Sequence, residues 1–258
     1  MYDIQIQIVN YKSKKYLFEC LESVSKDLAG VSFSYHIAVL DNASGDDLSD
    51  ILTQFPSLKS VEVVQGVENK GFGAGNNLLA ERANAEYLLL LNPDTKIIEP
   101  NTVVRMLEQI KSLHADVYGP RLIAEGNTTQ WWDHGELYGF KAWIANLAAS
   151  SHWEEQTKPV SAAWVSGAVF LLKKETYDSV GGFDENFFLY KEEEDLCYML
   201  RKNGACIIYD PTVTIFHRGG VSARKEDHMQ KSSAYFIEKH FRNRPSYYFA
   251  KFILWCKK

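Results

Sequence analysis

The chain has 258 residues, of which 46% are hydrophobic and 24% are charged, and its formal net charge is −5. This composition is typical of a globular protein with one large domain and room for an appendage. Residues 239–258 hold six basic residues and no acidic one, so the remainder of the chain carries −11. Because phosphate contacts need basic surface, this balance argues against a nucleic-acid-binding protein.

The cysteines and the N-terminal sequence bear on the cellular compartment of the protein. Cys20, Cys197, Cys206 and Cys256 show no CxxC spacing, and Met1 leads into the strand-like IQIQIV sequence without a secretory leader. We therefore expect reduced thiols and a cytoplasmic location.

Strand and helix signals alternate through residues 1–100. Apolar runs bounded by turn-forming residues predict strands, and apolar residues at helical spacing predict the helices between them. This order indicates an α/β fold with a doubly wound, mostly parallel, Rossmann-like sheet and helices on both faces. The predicted strands are Ile4–Val9, His36–Leu40, Val61–Val64 and Tyr87–Leu91, and the predicted helices are Tyr16–Lys26, Leu48–Phe55 and Asn76–Asn84.

Residues 101–225 continue the domain with one interruption. Asn101 is predicted to cap a helix over Thr102–Leu113. Residues 126–160 scatter tryptophans among small and polar residues, which fits an insertion that covers a pocket or a helical hairpin that completes the core. The later pattern predicts a strand at Ala163–Leu172, helices at Lys174–Val180 and up to Asn203, and strands at Cys206–Tyr209 and Thr212–Phe216.

Residues 226–258 are predicted to form a C-terminal helical tail in which basic and aromatic residues are interleaved. This composition suits a segment that lies on an anionic membrane surface or docks on a partner, and the segment is too short and too basic to span a bilayer. The alternative is a C-terminal helix that packs on the domain with its bases solvated.

Polar residues collect at the carboxyl ends of the predicted strands: Val9-Asn10-Tyr11, Asp41-Asn42 and Asn92-Pro93-Asp94. Open α/β sheets bind ligands along this edge, and the proline ends strand pairing so that Asp94 points into the crevice. A carboxylate there can hold a divalent cation and, through it, a diphosphate. A strand-terminating turn with a solvated Asp94 is the alternative.

The glycine-rich segment Asn69–Asn77 follows the third strand and opens a helix. Its backbone can approach a ligand closely, and a helix start favours an anion. The segment matches neither the dinucleotide fingerprint nor the P-loop.

Four consecutive carboxylates, Glu192–Asp195, follow the aromatic run Phe187–Tyr190. Carboxylates near apolar surface and near one another have raised pKa values, which suits a general base. The alternative is a solvated acidic helix start that the helix dipole stabilises. His217, at a strand end and before the glycines of HRGGVS, can complete a metal shell.

Together these segments resemble the inverting GT-A glycosyltransferases of family 2, in particular the bacterial rhamnosyltransferase-like members. The resemblance covers roughly residues 3–222 and implies a GT-A fold, with residues 1–100 as its nucleotide-binding half and 101–225 as its acceptor-binding half. It rests on the ordered segments IVNYKS, VLDNAS, NKGFGAGNN, LLLNPDT, WVSGAVFLLKKETYDSVGGFDENFFLYKEEEDL and HRGGVS.

The resemblance also implies residue roles. Asp94 would bind Mg²⁺ or Mn²⁺ that bridges the donor diphosphate, with His217 as a further ligand, although Asn92 replaces the first acid of the frequent DxD motif. Asp41 would contact the nucleobase or ribose. The other expected nucleotide-pocket residues are Val9, Asn10, Tyr11, Asn69, Gly73, Asn76 and Asn92, and the residues expected near the donor sugar or acceptor are Trp164, Ser166, Gly167 and Glu192.

An inverting transfer needs a base that deprotonates an acceptor hydroxyl opposite the leaving nucleotide, while a metal takes up the charge that develops on the diphosphate. The YxEDxDL pattern of the family places this base at Glu193, where this chain has Glu in place of Asp. Asp195 and Glu192 are the alternatives for the base.

The resemblance points to dTDP-L-rhamnose as donor and to a lipid-linked or saccharide acceptor in bacterial cell-surface polysaccharide synthesis, at the inner face of the plasma membrane. UDP-hexoses and UDP-N-acetylhexosamines are the alternative donors. Two other classes stay open: a non-catalytic partner in a polysaccharide assembly complex, and a nucleotidyltransferase on a related sheet. The late acidic cluster, and the lack of a glycine-rich activation loop near the N-terminus, argue against the nucleotidyltransferase.

Overall fold

The structure, a computed structural model, describes residues 1–219 and 225–256, except for the side chains of 225–227. Its strands and helices alternate through the first hundred residues, as the sequence predicts. In chain order the elements are β1 (Tyr2–Asn10), α1 (Lys14–Asp27), β2 (Tyr35–Asp41), α2 (Ile51–Gln54), β3 (Val61–Gln65), α3 (Phe72–Glu81), β4 (Ala85–Leu91), β5 (Thr95–Ile97), α4 (Thr102–Ser112), β6 (Val117–Ile123), β7 (His134–Glu136), α5 (Phe140–Leu147), β8 (Val160–Val165), β9 (Val169–Lys173), α6 (Lys174–Asp178), α7 (Glu192–Lys202), β10 (Ile207–His217), α8 (Lys225–Phe241) and α9 (Tyr247–Cys256).

The strands form one sheet in the order β3-β2-β1-β4-β9-β6-β10-β8-β7, with β5 paired to β10. The strands β1 to β4 pair in parallel, as a doubly wound sheet requires. The second half makes the sheet mixed, because β9 pairs antiparallel with both β4 and β6 while β6 and β10 are parallel. The predicted α/β architecture is therefore confirmed.

Both faces of the central strand β4 are buried. Tyr87, Leu89 and Leu91 belong to the core that includes Leu17 and Leu21 of α1. The intervening Leu88 and Leu90 belong to a second core, which includes residues of α6 and α7. Successive side chains of a strand point to opposite faces, so this double burial explains the unbroken apolar run in the sequence.

Two strand predictions were wrong. The segment Ala163–Leu172 is not one strand but two, β8 and β9, because the chain turns between them, where the Ala168 N–H donates to Ser166 Oγ at 3.3 Å. The segments Cys206–Tyr209 and Thr212–Phe216 are not separate but belong to the single strand β10. Asp210 reads as a turn residue, yet it is buried within β10 and accepts a hydrogen bond from the Tyr118 hydroxyl at 2.8 Å.

Helix ends also depart from the predictions. The helix predicted at Leu48–Phe55 is limited to α2, and the one predicted at Asn76–Asn84 is shifted to α3. Asn101 makes no side-chain cap to α4 and has a left-handed backbone. The carboxylate of Asp27 caps the helix instead, because it accepts the N–H groups of Thr102 at 2.8 Å and Val103 at 2.9 Å.

The two regions that interrupt the α/β rhythm are ordered parts of the domain. Residues 126–160 do not form a helical hairpin, since they supply β7, which pairs with β8, and a single α-helix, α5. In the C-terminal tail α8 packs on the domain, with Phe236, Ile237 and Phe241 buried against Phe187. No helix in the described part of the chain is long and apolar enough to cross a membrane.

Candidate active site

A cleft of about 1150 Å³ opens at the carboxyl ends of β1 and β4. Its walls come from the strand ends, the turn between β8 and β9, the start of α7 and the C-terminal helices. The predicted site residues that line it are Val9, Tyr11, Asn69, Asn92, Asp94, Trp164, Ser166, Gly167, Glu192, Glu193 and His217. The predicted residues that do not line it are Asn10, Asp41, Gly73, Asn76 and Asp195.

Asn10 and Asp41 lie behind the cleft wall. They face each other in the β1–β2 register, and Asn10 Nδ2 donates to Asp41 Oδ1 at 3.4 Å. Asp41 is 4% exposed, and its carboxylate also accepts the N–H of Ser44 at 3.2 Å. The pair therefore fixes the turn after β2, and the neighbouring Asn42 lines the cleft, so the nucleoside contact of Asp41 stays a prediction.

The glycine-rich segment lines the cleft through Asn69, Gly71 and Phe72, but its glycines also pack closely against protein. Gly71 has φ +87°, and a Cβ there would lie 2.0 Å from the carbonyl oxygen of Phe188. The Phe72 N–H donates to that same oxygen at 3.2 Å, so the first amide of α3 is not free for an anion. A Cβ at Gly73 would meet Phe183 at 3.0 Å, and Asn76 bonds back to its own helix through Phe72. The glycines thus allow α3 to approach the segment before α7.

Asp94 and His217 meet because β5 pairs antiparallel with β10, which sets Thr95 opposite His217. Asp94 Oδ1 lies 3.4 Å from His217 Nε2, and both side chains are about 10% exposed. Burial would raise the pKa of Asp94, but the hydrogen bond and charge of His217 outweigh it and lower that pKa below its usual value. The carboxylate is therefore ionised at neutral pH and faces an imidazole nitrogen.

Gln130 fixes the orientation of His217 and was missed by the sequence analysis. Its amide Nε2 donates to the carbonyl oxygen of His217 at 2.7 Å, so its Oε1 faces His217 Nδ1 at 2.8 Å. Because Oε1 can only accept, Nδ1 carries a proton, and Nε2 is the nitrogen turned toward Asp94. Gln130 lies in the insertion, where no sequence motif marks it.

The four carboxylates at the start of α7 have different environments. Glu194 pairs with Lys191 at 2.7 Å, whereas Glu192 and Glu193 each hold a buried Oε2 without a partner among the described residues. Burial, with the charge of Glu193, raises the pKa of Glu192 well above its usual range. Burial and the charge of Glu194 raise the pKa of Glu193 to about 7. A carboxylate poised near neutral pH can accept a proton and return it.

The turn between β8 and β9 lies against this acidic start. The Gly167 N–H interacts with the carboxylate of Glu193, and a Cβ at Gly167 would lie 3.6 Å from the Cβ of Glu193. Trp164, which precedes the turn, is only 9% exposed, and its indole N–H donates to Ser151 Oγ at 2.8 Å. Trp164 is therefore a wall residue whose polar atom is already satisfied.

Asp195 points away from the cleft and binds the C-terminal helix α8. Its oxygens lie 2.8 Å from Lys239 Nζ and 2.5 Å from His240 Nε2. Lys239 also lies 2.7 Å from Asp184, whose pKa falls to about 2: burial would raise it, but hydrogen bonds, led by that from Lys239, lower it. Lys239, one of the bases of the C-terminal tail, therefore links α8 to α7 and to the loop that precedes α7.

No cluster of three or more metal-ligating side chains occurs in residues 1–219 and 225–256. Asp94 and His217 nevertheless offer one carboxylate oxygen and one imidazole nitrogen in a shared, nearly buried position. Such a donor set fits a divalent cation that keeps its other positions for substrate phosphates and water. Gly220–Ser222 of the HRGGVS segment lie outside the described residues.

The residues of the sheet edge, including Asp94, lie in a segment that matches a known family. Residues 6–180 match the protein-family model described as glycosyl transferase family 2. The chain belongs to this family.

The relatives of this glycosyltransferase include a hexosyltransferase and a rhamnosyltransferase. It is 29% identical over 248 residues to the low-salt glycan biosynthesis hexosyltransferase Agl10 of Haloferax volcanii, covering 94% of this chain and 74% of that protein. It is 25% identical over 237 residues to the rhamnosyltransferase WbbL of Escherichia coli, covering 83% of each.

The fold is also that of solved GT-A glycosyltransferases. The crystal structure of GalNAc-T7 with UDP, GalNAc and Mn²⁺ superposes with a TM-score of 0.71 at 15% identity, over 92% of this chain. This chain spans 48% of that one, and at 15% identity the likeness concerns the fold alone. The GT-A fold inferred from the sequence is confirmed.

Replacing Lys239 should weaken the packing of α8 on α7. We expect Lys239→Met to lower the free energy of unfolding by about 2 kcal/mol, because Asp184 and Asp195 lose their shared cation. Since the pKa of Asp184 is lowered to about 2, its share of this stability is present above its ordinary pKa of 3.8 and is lost as pH falls toward 2. Urea unfolding at neutral pH and near pH 4 should therefore show a similar deficit.

The matched control is Lys174→Met, which removes an i,i+4 surface pair with Asp178. It should change the free energy of unfolding by less than about 0.5 kcal/mol. Equal effects of the two substitutions would contradict the role assigned to Lys239.

Proposed function

We propose that this family 2 glycosyltransferase performs an inverting, metal-dependent transfer of a hexosyl group from a nucleoside diphosphate to an acceptor hydroxyl. The observation that carries the proposal is that Glu193, with a buried unpartnered oxygen and a pKa near 7, lines the same cleft as Asp94 and His217. A base and a diphosphate-binding site in one cleft are what a single displacement requires.

Glu193 is proposed as the general base. Its carboxylate would accept the proton of the acceptor hydroxyl as that oxygen attacks the anomeric carbon and the bond to the leaving diphosphate breaks. The carboxylate lies beside the Gly167 N–H and forms no salt bridge with a described residue, and burial keeps its pKa raised despite the charge of Lys191. Asp195 is a weaker candidate because Lys239 and His240 occupy both of its oxygens. Glu192 lines the cleft and is proposed to position the acceptor.

Asp94 and His217 are proposed to hold Mg²⁺ or Mn²⁺ at the donor diphosphate. A bound divalent cation supplies charge neutralisation to the leaving diphosphate. GalNAc-T7 contains Mn²⁺ together with UDP, which supports this assignment. The residues of this chain contribute one carboxylate in its ionised form and one imidazole whose tautomer Gln130 sets. Asn92 lines the same part of the cleft but offers only an amide.

The donor is proposed to be dTDP-L-rhamnose, and the acceptor a lipid-linked or free saccharide in cell-surface polysaccharide synthesis. Similarity to WbbL, a rhamnosyltransferase, along most of both chains supports the sugar. Similarity to the hexosyltransferase Agl10 supports a UDP-hexose or UDP-N-acetylhexosamine as the alternative. A location in the cytoplasm, at the inner face of the membrane, follows from these substrates.

Calorimetric titration of the purified protein tests the donor. The titrants are dTDP-rhamnose, UDP-glucose, UDP-galactose and UDP-N-acetylglucosamine, each with Mn²⁺ and again with EDTA. We expect metal-dependent binding of dTDP-rhamnose. Preference for a UDP-sugar would replace the donor while keeping the reaction class. If none of the four binds, even with a saccharide acceptor present, a non-catalytic partner in an assembly complex is the better description.

Glu193→Gln tests the base. We expect transfer to fall between about a hundredfold and ten-thousandfold, with nucleotide-sugar affinity unchanged, because only proton transfer is lost. In the parent enzyme the rate should rise with pH through about 7, the pKa of Glu193. A fully active variant would move the role to Glu192 or Asp195, and Glu175→Gln, an exposed carboxylate on α6, serves as the control.

The same substitution has a stability signature. The pKa of Glu193 is raised on folding, so its contribution to stability is present below 4.5 and is lost as pH rises through about 7. Glu193→Gln should therefore melt at a higher temperature than the parent above about pH 8 and show no such advantage near pH 4. Scanning calorimetry at both pH values measures the difference.

Gln130→Ala tests the metal site without assaying transfer. Loss of the group that orients His217 should weaken Mn²⁺ binding by about 10- to 100-fold, as loss of the outer-shell partner of a ligating histidine does. Electron paramagnetic resonance of free Mn²⁺ in the presence of a nucleoside diphosphate gives the affinity. Gln156→Ala is the matched control, because Gln156 bonds Glu136 in the same insertion but does not line the cleft. Equal Mn²⁺ affinities would remove Gln130 from the site.

A further inference from the structure

The exposed tryptophans of the chain all lie in two segments. They are Trp131, Trp132 and Trp143 in the insertion and Trp255 in α9, with exposures between 41% and 67%. Aromatic side chains this large are normally buried, and a concentration of exposed ones marks an interaction surface. Trp143 lies on helix α5 and Trp255 on helix α9, so these two helices are the ones to consider.

Each of the two helices turns an apolar face outward. On α5, Phe140, Trp143 and Ile144 follow an i, i+3, i+4 spacing and are 73%, 58% and 39% exposed. On α9, Tyr248, Phe252 and Trp255 follow an i, i+4, i+7 spacing and are 80%, 57% and 67% exposed. Residues at these spacings share one helix face, so neither set is a scatter of single side chains.

The inner side of α9 is already used, which leaves its aromatic face without a protein partner among the described residues. Ala250 is buried, and Leu254 packs against the same cluster. Ala149, just after the end of α5, packs against this cluster too. Ala149 and Leu254 both line the active-site cleft. The end of α5 and the inner side of α9 therefore border the same cleft.

The charges around these faces favour an anionic partner. Helix α9 contains Lys251 and no acidic residue, and the exposed Arg242 precedes it. Lys251 pairs with Glu238, and Lys141 of α5 pairs with Glu154, so the charges of each pair cancel and Arg242 supplies excess positive charge among the described residues. Lys257 and Lys258, which follow α9 in the sequence, lie outside the described residues. Lys239 does not contribute, because Asp184 and Asp195 bind it.

We propose that the outward faces of α5 and α9 form one docking surface for an anionic lipid bilayer. Tryptophan, tyrosine and phenylalanine flanked by bases are the composition that partitions into the headgroup region, where rings are buried and bases meet lipid phosphates. This inference rests on the proposed function, since a bilayer at the cleft mouth delivers a lipid-linked acceptor hydroxyl to Glu193. It corrects the expectation that the whole tail lies on the membrane: α8 belongs to the domain, and α5 joins α9.

Vesicle flotation of the full chain tests the surface. Phosphatidylcholine vesicles are compared with vesicles that also contain phosphatidylglycerol, and we expect binding only to the latter and weakening with added salt. Trp143→Ser and Trp255→Ser should each weaken binding about tenfold, since each removes a ring from the interface. Both side chains are exposed, so the thermal unfolding of the variants should match the parent.

The matched control is Leu52→Ser on α2, where Leu52 is 60% exposed but lies outside the cleft. It should bind vesicles like the parent. Parent-like binding by both tryptophan variants, or no vesicle binding by the parent, would overturn the surface. A parent that is dimeric in light scattering and becomes monomeric in these variants, without vesicle binding, would show a protein interface instead.

A negative result for the docking surface can be distinguished from a negative result for the proposed function, because nucleotide-sugar binding is measured without vesicles. The tryptophan variants should keep that binding and the transfer to a water-soluble acceptor, while losing transfer to an acceptor embedded in vesicles. Loss of transfer to both acceptors would place these residues in the cleft chemistry and contradict a membrane role.

Discussion

The proposed active site depends on the burial of a helix start that carries four consecutive carboxylates. Such a sequence is stable inside a fold only if most of the charge is compensated. Lys191 compensates Glu194, and Lys239 with His240 compensates Asp195. Neither Glu192 nor Glu193 forms a salt bridge with a described residue, so burial outweighs the backbone hydrogen bonds and the charge of Lys191 and raises their pKa values. The basicity of the proposed catalytic group is thus a consequence of how its neighbours are paired, and part of that pairing comes from α8.

Local patterns were enough to predict the parts of the site that are local. The apolar run of β4 followed by Pro93 defines a buried strand and its end, and it places Asp94 at the ligand-binding edge of the sheet. The meeting of Asp94 with His217 was a consequence of family resemblance in the sequence analysis, but in the structure it follows from the pairing of β5 with β10. That pairing joins segments more than a hundred residues apart. No hydrophobic period or turn signal encodes it.

The failures have one physical cause, which is that a distant partner outcompetes a local preference. Asn101 has the side chain of an N-cap, yet Asp27 supplies the cap of α4 from another helix. Gly71 suggested a close approach of the backbone to a ligand, but its missing Cβ makes room for the carbonyl of Phe188. Gln130 has no motif at all, because its function is defined only by the atom it faces on His217. The sequence shows which residue types are present, but it does not show which atoms each side chain contacts in the fold.

The C-terminal segment shows the same limit for charge. Counting bases left two alternatives, a surface-active tail or a helix packed on the domain. The fold divides the tail into α8, whose Lys239 is bound to two carboxylates, and α9, whose aromatic face points outward. Helix α8 binds the start of α7, which carries Glu193, and α8 also packs against α9, which presents the aromatic face. The position of Glu193 is therefore linked through α8 to the position of that face. A bilayer held at α5 and α9 would then stand at a fixed distance from the base. An acceptor anchored in that bilayer would reach the cleft without the search in solution that a free saccharide has to make.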